Sequence, residues 1–236
     1  METLEQDALL TPVARRPSLA AIVTERIRAS IMEAELPLGS IVSEDKLAAR
    51  LGVSRTPVRE ALTALALQGL IVIQPQRGSF VFLPSADDIA ELCEFRMMME
   101  THALVLSHTR VKAETLEALQ RANGAMAAAL RDENPLASAR ADATFHEALF
   151  DGCGNKHLVQ AYSLVSGRIG ALRSNLLHPD DVRMDSMAEH EQIVAAFAAN
   201  DLLRAESVLS AHIFRMRERY ATAQSRFMPK RQLPKR

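Results

Sequence analysis

Apolar residues recur at helical spacing through almost the whole chain, and only one short segment has the composition of β-strands. In that segment the apolar runs 70–73 and 79–83 flank a turn that contains Pro75 and Gly78, which predicts a β-hairpin. Pro84 ends the segment, and helical spacing resumes after it. The sequence therefore predicts a mainly α protein with a hairpin in its N-terminal part.

Proline and glycine residues divide the helical remainder into segments. Three helices are expected before Pro84, at about 18–34, 43–51 and 54–68, and six after it, at about 85–108, 112–131, 135–151, 155–177, 183–199 and 201–224. Pro84 is the natural domain boundary. The parts that we expect are a disordered N-terminal arm (1–17), a first domain (18–83), an antiparallel bundle of six helices (85–224) and a basic tail (225–236).

Composition limits the class of protein. The chain has 236 residues, of which 48% are hydrophobic and 24% charged, and its net charge is −1. These values are typical of a globular protein and exclude a disordered or fibrous chain. Cys93 and Cys153 are too few for a disulfide framework, and the first ten residues lack the basic start of a secretory leader. Because no apolar run is long enough to cross a bilayer, we expect a reduced, cytoplasmic protein.

The net charge is close to zero, but the charged residues are unevenly distributed along the chain. Residues 46–77 hold five basic residues and one acid, whereas residues 85–225 hold 14 basic and 20 acidic residues. The last eleven residues add five basic residues and no acid. A basic segment within an otherwise acidic chain is a candidate for contact with a phosphate backbone.

The basic segment also has the layout of a helix-turn-helix. The second and third predicted helices meet at Gly52, which permits the backbone conformation of a tight corner. The third helix opens with Arg55 and Arg59, four residues apart on one face, where two guanidinium groups can reach the edges of guanine bases. The alternative is that these arginines are solvated and paired with Glu44 or Glu60. The basic surroundings and the hairpin, which would form a wing, favour DNA binding.

The run 47–62, together with residues 69–71 and 77–78, resembles the winged helix of GntR-family transcription regulators. The resemblance covers about residues 18–83 and implies a homodimer that binds a short palindrome in double-stranded operator DNA. One position departs from the family pattern, because Asp45 stands where several relatives carry a basic or amide residue that touches DNA. The expected DNA contacts come from eight residues: Lys46, Arg50, Ser54, Arg55, Thr56, Arg59, Arg77 and Gly78.

Four potential metal ligands occur in the helical bundle. Asp142 and His146 are four residues apart and emerge on one helix face, at a spacing that can chelate one ion. His190 and His212 lie on apolar stripes of later helices, so all four side chains are expected in the core. A carboxylate buried beside three imidazoles needs partners, which a metal ion supplies. The pattern predicts one divalent ion per chain, with zinc first and nickel, manganese or iron as alternatives.

Arg96 is a further polar residue on an apolar stripe, in the first helix of the bundle. A buried guanidinium needs an anion. One interpretation pairs Arg96 with Glu100, four residues later, and the other aims it at the metal cavity, where it would hold the carboxylate of a small ligand. Arg173 and Asn175, on the fourth helix of the bundle, either help to hold that ligand or lie on the surface.

Residues 85–224 resemble the FCD ligand-binding domain of the FadR-type branch of the GntR family. Asp142, His146, His190 and His212 match the metal site of that domain, and Arg96 matches its effector-binding arginine. Six helices resemble the shorter, VanR-type arrangement. The resemblance implies a regulator that responds to a small organic acid bound at the metal.

These features favour a ligand-responsive transcription regulator, and a repressor in particular, over an enzyme. A metal hydrolase needs a general acid or base beside the bound water. Glu147 and Glu189 adjoin the ligands in sequence and are expected to point elsewhere, so no catalytic residue is predicted. Two alternatives stay open, in which the metal itself is the signal or serves only as a structural clamp.

Overall fold

The computed structural model describes residues 17–176 and 180–227. The first part of the chain forms a small domain of helices and strands. Its helices are α1 (Leu19–Met32), α2 (Glu44–Leu51) and α3 (Arg55–Leu67), and its strands are β1 (Ile41–Val42), β2 (Ile71–Gln74) and β3 (Gly78–Val81). The strands form an antiparallel sheet in the order β1-β3-β2. This arrangement is a winged helix-turn-helix, in agreement with the fold class that the sequence predicts.

Caps and one left-handed glycine fix the ends of these helices. The side chains of Ser18 and Ser43 accept hydrogen bonds from backbone N–H groups in the first turns of α1 and α2. Gly52 follows α2 at φ +67°, a conformation that suits glycine and turns the chain towards α3. Ser54 is the cap residue of α3, and Thr56 lies inside the helix. The first turn of α3 is thereby placed beside α2.

The sheet contains a strand that the sequence does not predict. β1 pairs with β3, with Ile41 opposite Phe80 and Val42 opposite Ser79. Two residues are too few to show the alternation by which a strand is recognised in a sequence. The predicted hairpin is formed by β2 and β3, and β3 ends at Val81, two residues earlier than expected.

The second part of the chain is a bundle of helices. These are α4 (Ala86–Arg131), α5 (Pro135–Cys153), α6 (Lys156–Leu176), α7 (Asp180–Ala198) and α8 (Leu202–Phe227). The backbone angles of Val111, φ −144° and ψ 53°, are not helical and divide α4 into two segments. Within the described residues the bundle therefore has six helical segments, and the break falls between the predicted ranges 85–108 and 112–131.

Helix α6 joins the two domains. Each domain has its own apolar core, but Ala171 of α6 packs in the core of the N-terminal domain. Two glycines on the same helix allow the close approach. A Cβ atom on Gly167 would lie 2.9 Å from the side chain of Leu70, and one on Gly170 would lie 2.8 Å from that of Met32.

The ends of the chain are only partly described. Of the predicted N-terminal arm only Pro17 is among the described residues, and the predicted tail lies outside them beyond Phe227. The last helix extends to Phe227, so the helix continues past the predicted boundary at 224. In the described ranges, no helix is long and apolar enough to span a membrane.

Candidate metal centre and DNA-binding surface

Three helices of the bundle bring together four side chains that could hold a metal ion. Asp142 and His146 come from α5, His190 from α7 and His212 from α8. One ligand atom from each residue lies within 4.8 Å of the others, and all four side chains are buried. The structure therefore unites the four residues that the sequence singles out on three separate helices.

The spacing within this cluster is suited to a small ion. Oδ1 of Asp142 lies 3.5 Å from Nε2 of His190, and its Oδ2 lies 3.9 Å from Nε2 of His146. Ligand atoms that bind one zinc ion at about 2.0–2.2 Å in a tetrahedron lie roughly 3.4 Å apart. The side chain of Phe145 supports the arrangement, because its ring stacks on His190 with centroids 3.8 Å apart and planes 1° apart.

Two buried carboxylates hold the far side of the imidazole rings. Nδ1 of His212 is hydrogen-bonded to Oε2 of Glu189 at 2.7 Å, and Nδ1 of His146 lies 2.7 Å from Oε2 of Glu100. A carboxylate on Nδ1 orients the ring and leaves Nε2 as the metal-binding nitrogen.

The expectation that Glu189 points away from the cluster is therefore wrong. Glu189 adjoins His190 in sequence, but both side chains are buried. Glu189 continues the stripe of Val182 and Ser186, at spacings of four and three residues, and the sequence contains that signal. Its carboxylate orients a ligand, and it also pairs with Arg215.

The protonation states also suit metal binding. Burial lowers the pKa of His190 to about 3, and burial together with the nearby Arg96 guanidinium holds the pKa of His146 well below its usual range. Burial alone would raise the pKa of Asp142, but the Arg173 guanidinium and the neighbouring imidazoles hold it well below its usual range. At neutral pH the cluster offers two uncharged imidazoles and an ionised carboxylate, which are the forms that bind metals.

The lack of hydrogen bonds at His190 is a second observation that fits a divalent metal. Both ring nitrogens of His190 are buried and make no hydrogen bond with any residue in the described ranges. An imidazole without a partner in the core is unfavourable unless another group binds it. Three imidazoles and one carboxylate are ligands that zinc and related transition metals take.

Arg96 forms the intrahelical pair that the sequence allows and also contacts one of the predicted metal ligands. It is fully buried, its Nε donates to Oε1 of Glu100 at 2.7 Å, and Tyr162 donates to the same carboxylate oxygen at 3.3 Å. The intrahelical pair is therefore present. One terminal nitrogen of Arg96 also lies 2.8 Å from Nε2 of His146, so the guanidinium touches the ligand cluster.

The structure places Arg173 in the site and Asn175 outside it. Arg173 is buried and forms an ion pair with Asp142. Asn175 donates a hydrogen bond to the carbonyl of Ile31 and accepts one from the backbone N–H of Leu38, both at 3.4 Å. Asn175 therefore contacts the N-terminal domain, and its assignment to the effector site stays a prediction that these contacts do not support.

Residues 174 and 175 anchor the end of α1. The hydroxyl of Ser174 donates to the carbonyl of Met32, and Asn175 binds the carbonyl of the preceding residue. The last carbonyls of a helix have no partner within it, so side chains that bind them fix the helix end. Arg140 of α5 adds an ion pair to Glu33, just after α1. The helix that carries Arg173, the partner of Asp142, is thus bound to the N-terminal domain within two residues of Arg173.

A small cavity of about 20 Å³, with room for about one water molecule, lies against Asp142. It is lined by residues of α4, α5, α6 and α7, among them Asp142 and Arg173. Arg96, which is committed to Glu100 and His146, is not part of its wall. Arg173 is therefore the guanidinium of the predicted effector residues that faces this space.

All eight residues assigned to DNA contact are exposed. They lie on α2, at the start of α3 and at the tip of the β2–β3 hairpin. Arg55 and Arg59 are 58% and 64% exposed and pair with acids of α2: Arg59 lies 2.9 Å from Glu44, and Arg55 lies 3.1 Å from Asp45. The pairing with Glu44 that the sequence leaves open is present. Exposed pairs of this kind contribute little to stability, so the guanidinium groups are free to exchange carboxylate for phosphate or base.

Two family matches decide the identity of the chain. Residues 19–81 match the family described as bacterial regulatory proteins, gntR family, and residues 91–215, more than half of the chain, match the FCD domain. The chain belongs to the GntR family of transcription regulators. Its FCD domain places it in the branch that the sequence resembles.

Similar proteins agree with this assignment. The chain is 30% identical, over 84% of its length and 87% of the relative's, to a protein of Paenarthrobacter nicotinovorans named "Probable D-xylose utilization operon transcriptional repressor". Its fold matches a GntR transcriptional regulator from Rhodococcus sp. RHA1, with a TM-score of 0.78 and 23% identity over 86% of this chain and 98% of the other. E. coli McbR/YncC gives a TM-score of 0.75 and 21% identity over 89% and 99%. This GntR-family chain is a DNA-binding transcription regulator and not an enzyme.

Proposed function

We propose that this protein is a cytoplasmic repressor that binds a short palindromic operator as a homodimer and responds to a small organic acid held at a metal site. The buried cluster of three histidines and one aspartate, with a cavity against Asp142, carries this proposal. The winged helix supplies DNA binding, and the FCD domain supplies the ligand site.

The DNA-binding part of the proposal rests on the first turn of α3. Arg55, Thr56 and Arg59 are exposed there and can enter a major groove, while Lys46 and Arg50 of α2 lie beside them to bind phosphates. Arg77 and Gly78 form the exposed tip of the wing. A dimer would present two such helices to the two halves of a palindrome.

The metal would be held by Asp142, His146, His190 and His212, with zinc as the first candidate and nickel, manganese or iron as alternatives. When bound, it supplies a fixed positive charge that attracts an oxygen ligand. Glu100 and Glu189 keep two of the imidazoles in position, and Arg173 stabilises the charge of Asp142. The carboxylate of the effector would lie between the metal and Arg173, at the cavity against Asp142.

The response would pass to DNA through α6. Arg173 faces the ligand cavity, and Ser174 and Asn175 bind the end of α1. A ligand that changes the position of Arg173 therefore changes the support of the DNA-binding domain. This is a coupling free energy between two sites, for which about 1–3 kcal/mol is typical.

Full burial of the imidazoles favours two alternatives. In one the metal is a structural clamp, and in the other the metal is itself the signal. His146 and His190 are 0% exposed and His212 is 1% exposed, as in sites whose metal stabilises the fold. These three functions, the clamp, the metal signal and the acid sensor, differ in what releases DNA. A clamp changes stability alone, a metal signal acts without any acid, and an acid sensor needs both.

The test uses the full chain and DNA that it selects from a random-sequence library. Fluorescence anisotropy would measure binding of the selected DNA to metal-free and to zinc-loaded protein, with and without a panel of small carboxylic acids. We expect palindromic selected sequences and release of DNA by at least one acid, lost after chelation. Release by zinc alone, or no response to either, would replace the acid-sensing proposal with a metal-sensing or clamp function.

A further inference from the structure

The three imidazoles of the metal cluster differ in what their nitrogens contact. Both nitrogens of His190 lack hydrogen-bond partners within the described ranges, and Nδ1 of His212 is hydrogen-bonded to Glu189. At His146 a contact falls on the metal-binding nitrogen itself, because Nε2 lies 2.8 Å from a terminal nitrogen of Arg96. This imidazole nitrogen is therefore already bonded to another side chain of the protein.

Arg96 can only donate to this nitrogen. A guanidinium has five N–H donors and no acceptor, so Nε2 of His146 accepts through its single lone pair. The proton of the neutral ring is then on Nδ1, which lies 2.7 Å from the carboxylate of Glu100. Zinc binds an imidazole nitrogen through the same lone pair, at about 2.0–2.1 Å. The guanidinium and the metal therefore exclude each other at His146.

The second arginine of the cluster does not exclude a metal in this way. Arg173 forms its ion pair with Oδ2 of Asp142, and the other oxygen, Oδ1, lies 3.5 Å from Nε2 of His190. A carboxylate has two oxygens and about four lone-pair positions, so it can accept from a guanidinium and bind a metal at the same time. Of these two arginines, only Arg96 competes with the metal.

Release of Arg96 from His146 would leave its other anchor in place. Nε of Arg96 donates to Oε1 of Glu100 at 2.7 Å, and this bond uses a different nitrogen from the one at His146. The remaining terminal nitrogen, Nη1, is buried and has no hydrogen-bond partner among residues 17–176 and 180–227. A released guanidinium would therefore have two terminal nitrogens without acceptors, and the bond that it loses is of the strong, charge-assisted kind.

Resting on the metal site of the proposed function, we infer that Arg96 is an internal competitor that sets the metal affinity of the cluster. Its guanidinium holds the lone pair of His146 and gives it up when a metal binds. The metal affinity is therefore lowered by the free energy of that bond. Once released, the guanidinium keeps its bond to Glu100 and has two terminal nitrogens for an anion beside the metal.

Zinc affinity tests the inference, measured on the folded, full-length protein by competition with a chromogenic chelator. Arg96→Lys keeps the positive charge and the partner Glu100, but the lysine side chain is one bond too short to reach His146 as well. We expect this variant to bind zinc at least about tenfold more tightly than the unmodified protein. Arg110→Lys is the matched control, because Arg110 lies on the same helix and donates to the carbonyl of Cys153, and its zinc affinity should be unchanged.

A neutral variant separates competition for the lone pair from repulsion between charges. Arg96→Met removes both the bond to His146 and the nearby positive charge, so it should bind zinc at least as tightly as Arg96→Lys. If Arg96→Met alone binds zinc more tightly, charge explains the effect and the inference is wrong. Equal or weaker binding in Arg96→Lys likewise overturns it. No zinc binding by the unmodified protein or by either variant overturns the proposed metal site itself.

A measurement on the unmodified protein keeps the inference testable if substitution of a buried arginine unfolds the chain. In metal-free protein labelled with 15N, NMR should detect a scalar coupling across the N–H···N hydrogen bond between Arg96 and His146. One equivalent of zinc should abolish this coupling. A coupling that persists in the zinc-bound protein, or that is absent from the metal-free protein, overturns the inference.

Discussion

The DNA-binding surface and the bundle core both pair arginines with carboxylates, but in opposite surroundings. Arg59 is 64% exposed beside Glu44, whereas Arg96 is 1% exposed beside a Glu100 that is fully buried. Exposed pairs contribute little and exchange partners with water or phosphate at small cost. A buried pair leaves an uncompensated charge when one partner is removed. The same chemistry therefore serves exchangeable contacts at the surface and fixed geometry in the core.

The largest expected effect comes from breaking the buried pair. Glu100→Ala should lower the free energy of unfolding by about 3–5 kcal/mol, because it leaves the Arg96 guanidinium buried without its carboxylate. Urea denaturation measures the change. Glu117→Ala is the matched control, since Glu117 and Arg121 form an exposed pair of the same four-residue spacing on α4 and should contribute less than about 0.5 kcal/mol. Equal effects in the two variants would contradict the distinction between buried and exposed pairs.

Substitution of one predicted metal-coordinating histidine should abolish the stabilisation that zinc provides. Zinc at 100 times its dissociation constant should stabilise the unmodified protein by about 2.7 kcal/mol. His190→Ala should lose most of this gain and most of the bound zinc, measured by thermal denaturation and by metal analysis. His157→Ala, a change at an exposed histidine, should retain both. A full complement of zinc in His190→Ala would show that the ligand assignment is wrong.

The buried imidazoles also predict the pH dependence of stability. The pKa of His190 is about 3 in the folded protein and that of His146 is well below its usual range, so below about pH 6.5 the unfolded chain binds more protons. Their contribution is complete above that pH and is lost as the pH falls towards the folded pKa values. With a chelator present, the free energy of unfolding should fall between pH 7 and 5, by at most about 1.4 kcal/mol per pH unit for each histidine. A curve that is flat over this interval would contradict the prediction.

Substitutions on the DNA-binding surface should have the smallest effect on stability and the clearest effect on function. Arg59→Ala should leave the melting temperature nearly unchanged and weaken binding to the selected DNA at least about fivefold. Glu44→Gln should strengthen DNA binding slightly, because it frees Arg55 and Arg59 from a competing carboxylate. Arg121→Ala serves as the control for loss of a surface charge. Unchanged affinity in Arg59→Ala would remove that residue from DNA contact.

Periodic patterns made most of the fold and of the ligand cluster predictable. Asp142 and His146 share a helix face by spacing alone, and Gly52 marks the corner between α2 and α3. The missed features depend on tertiary contact. β1 exists because β3 pairs with it, and Glu189 reaches His212 on another helix although its neighbour His190 is itself a predicted ligand. The contacts of Asn175 with the N-terminal domain depend on the rotation of α6, which no pattern in the sequence fixes.

The contacts of α6 have a consequence for exchanging domains between relatives. Gly167 and Gly170 fit against Leu70 and Met32, and Asn175 binds the end of α1, so part of the surface that supports the DNA-binding domain is encoded far beyond Pro84. A chimera joined at Pro84 would place a foreign winged helix on this surface. To transmit a signal, the chimera would also have to carry residues 167–175 from the protein that supplies its winged helix. The unit to be exchanged in engineering is therefore discontinuous in the sequence.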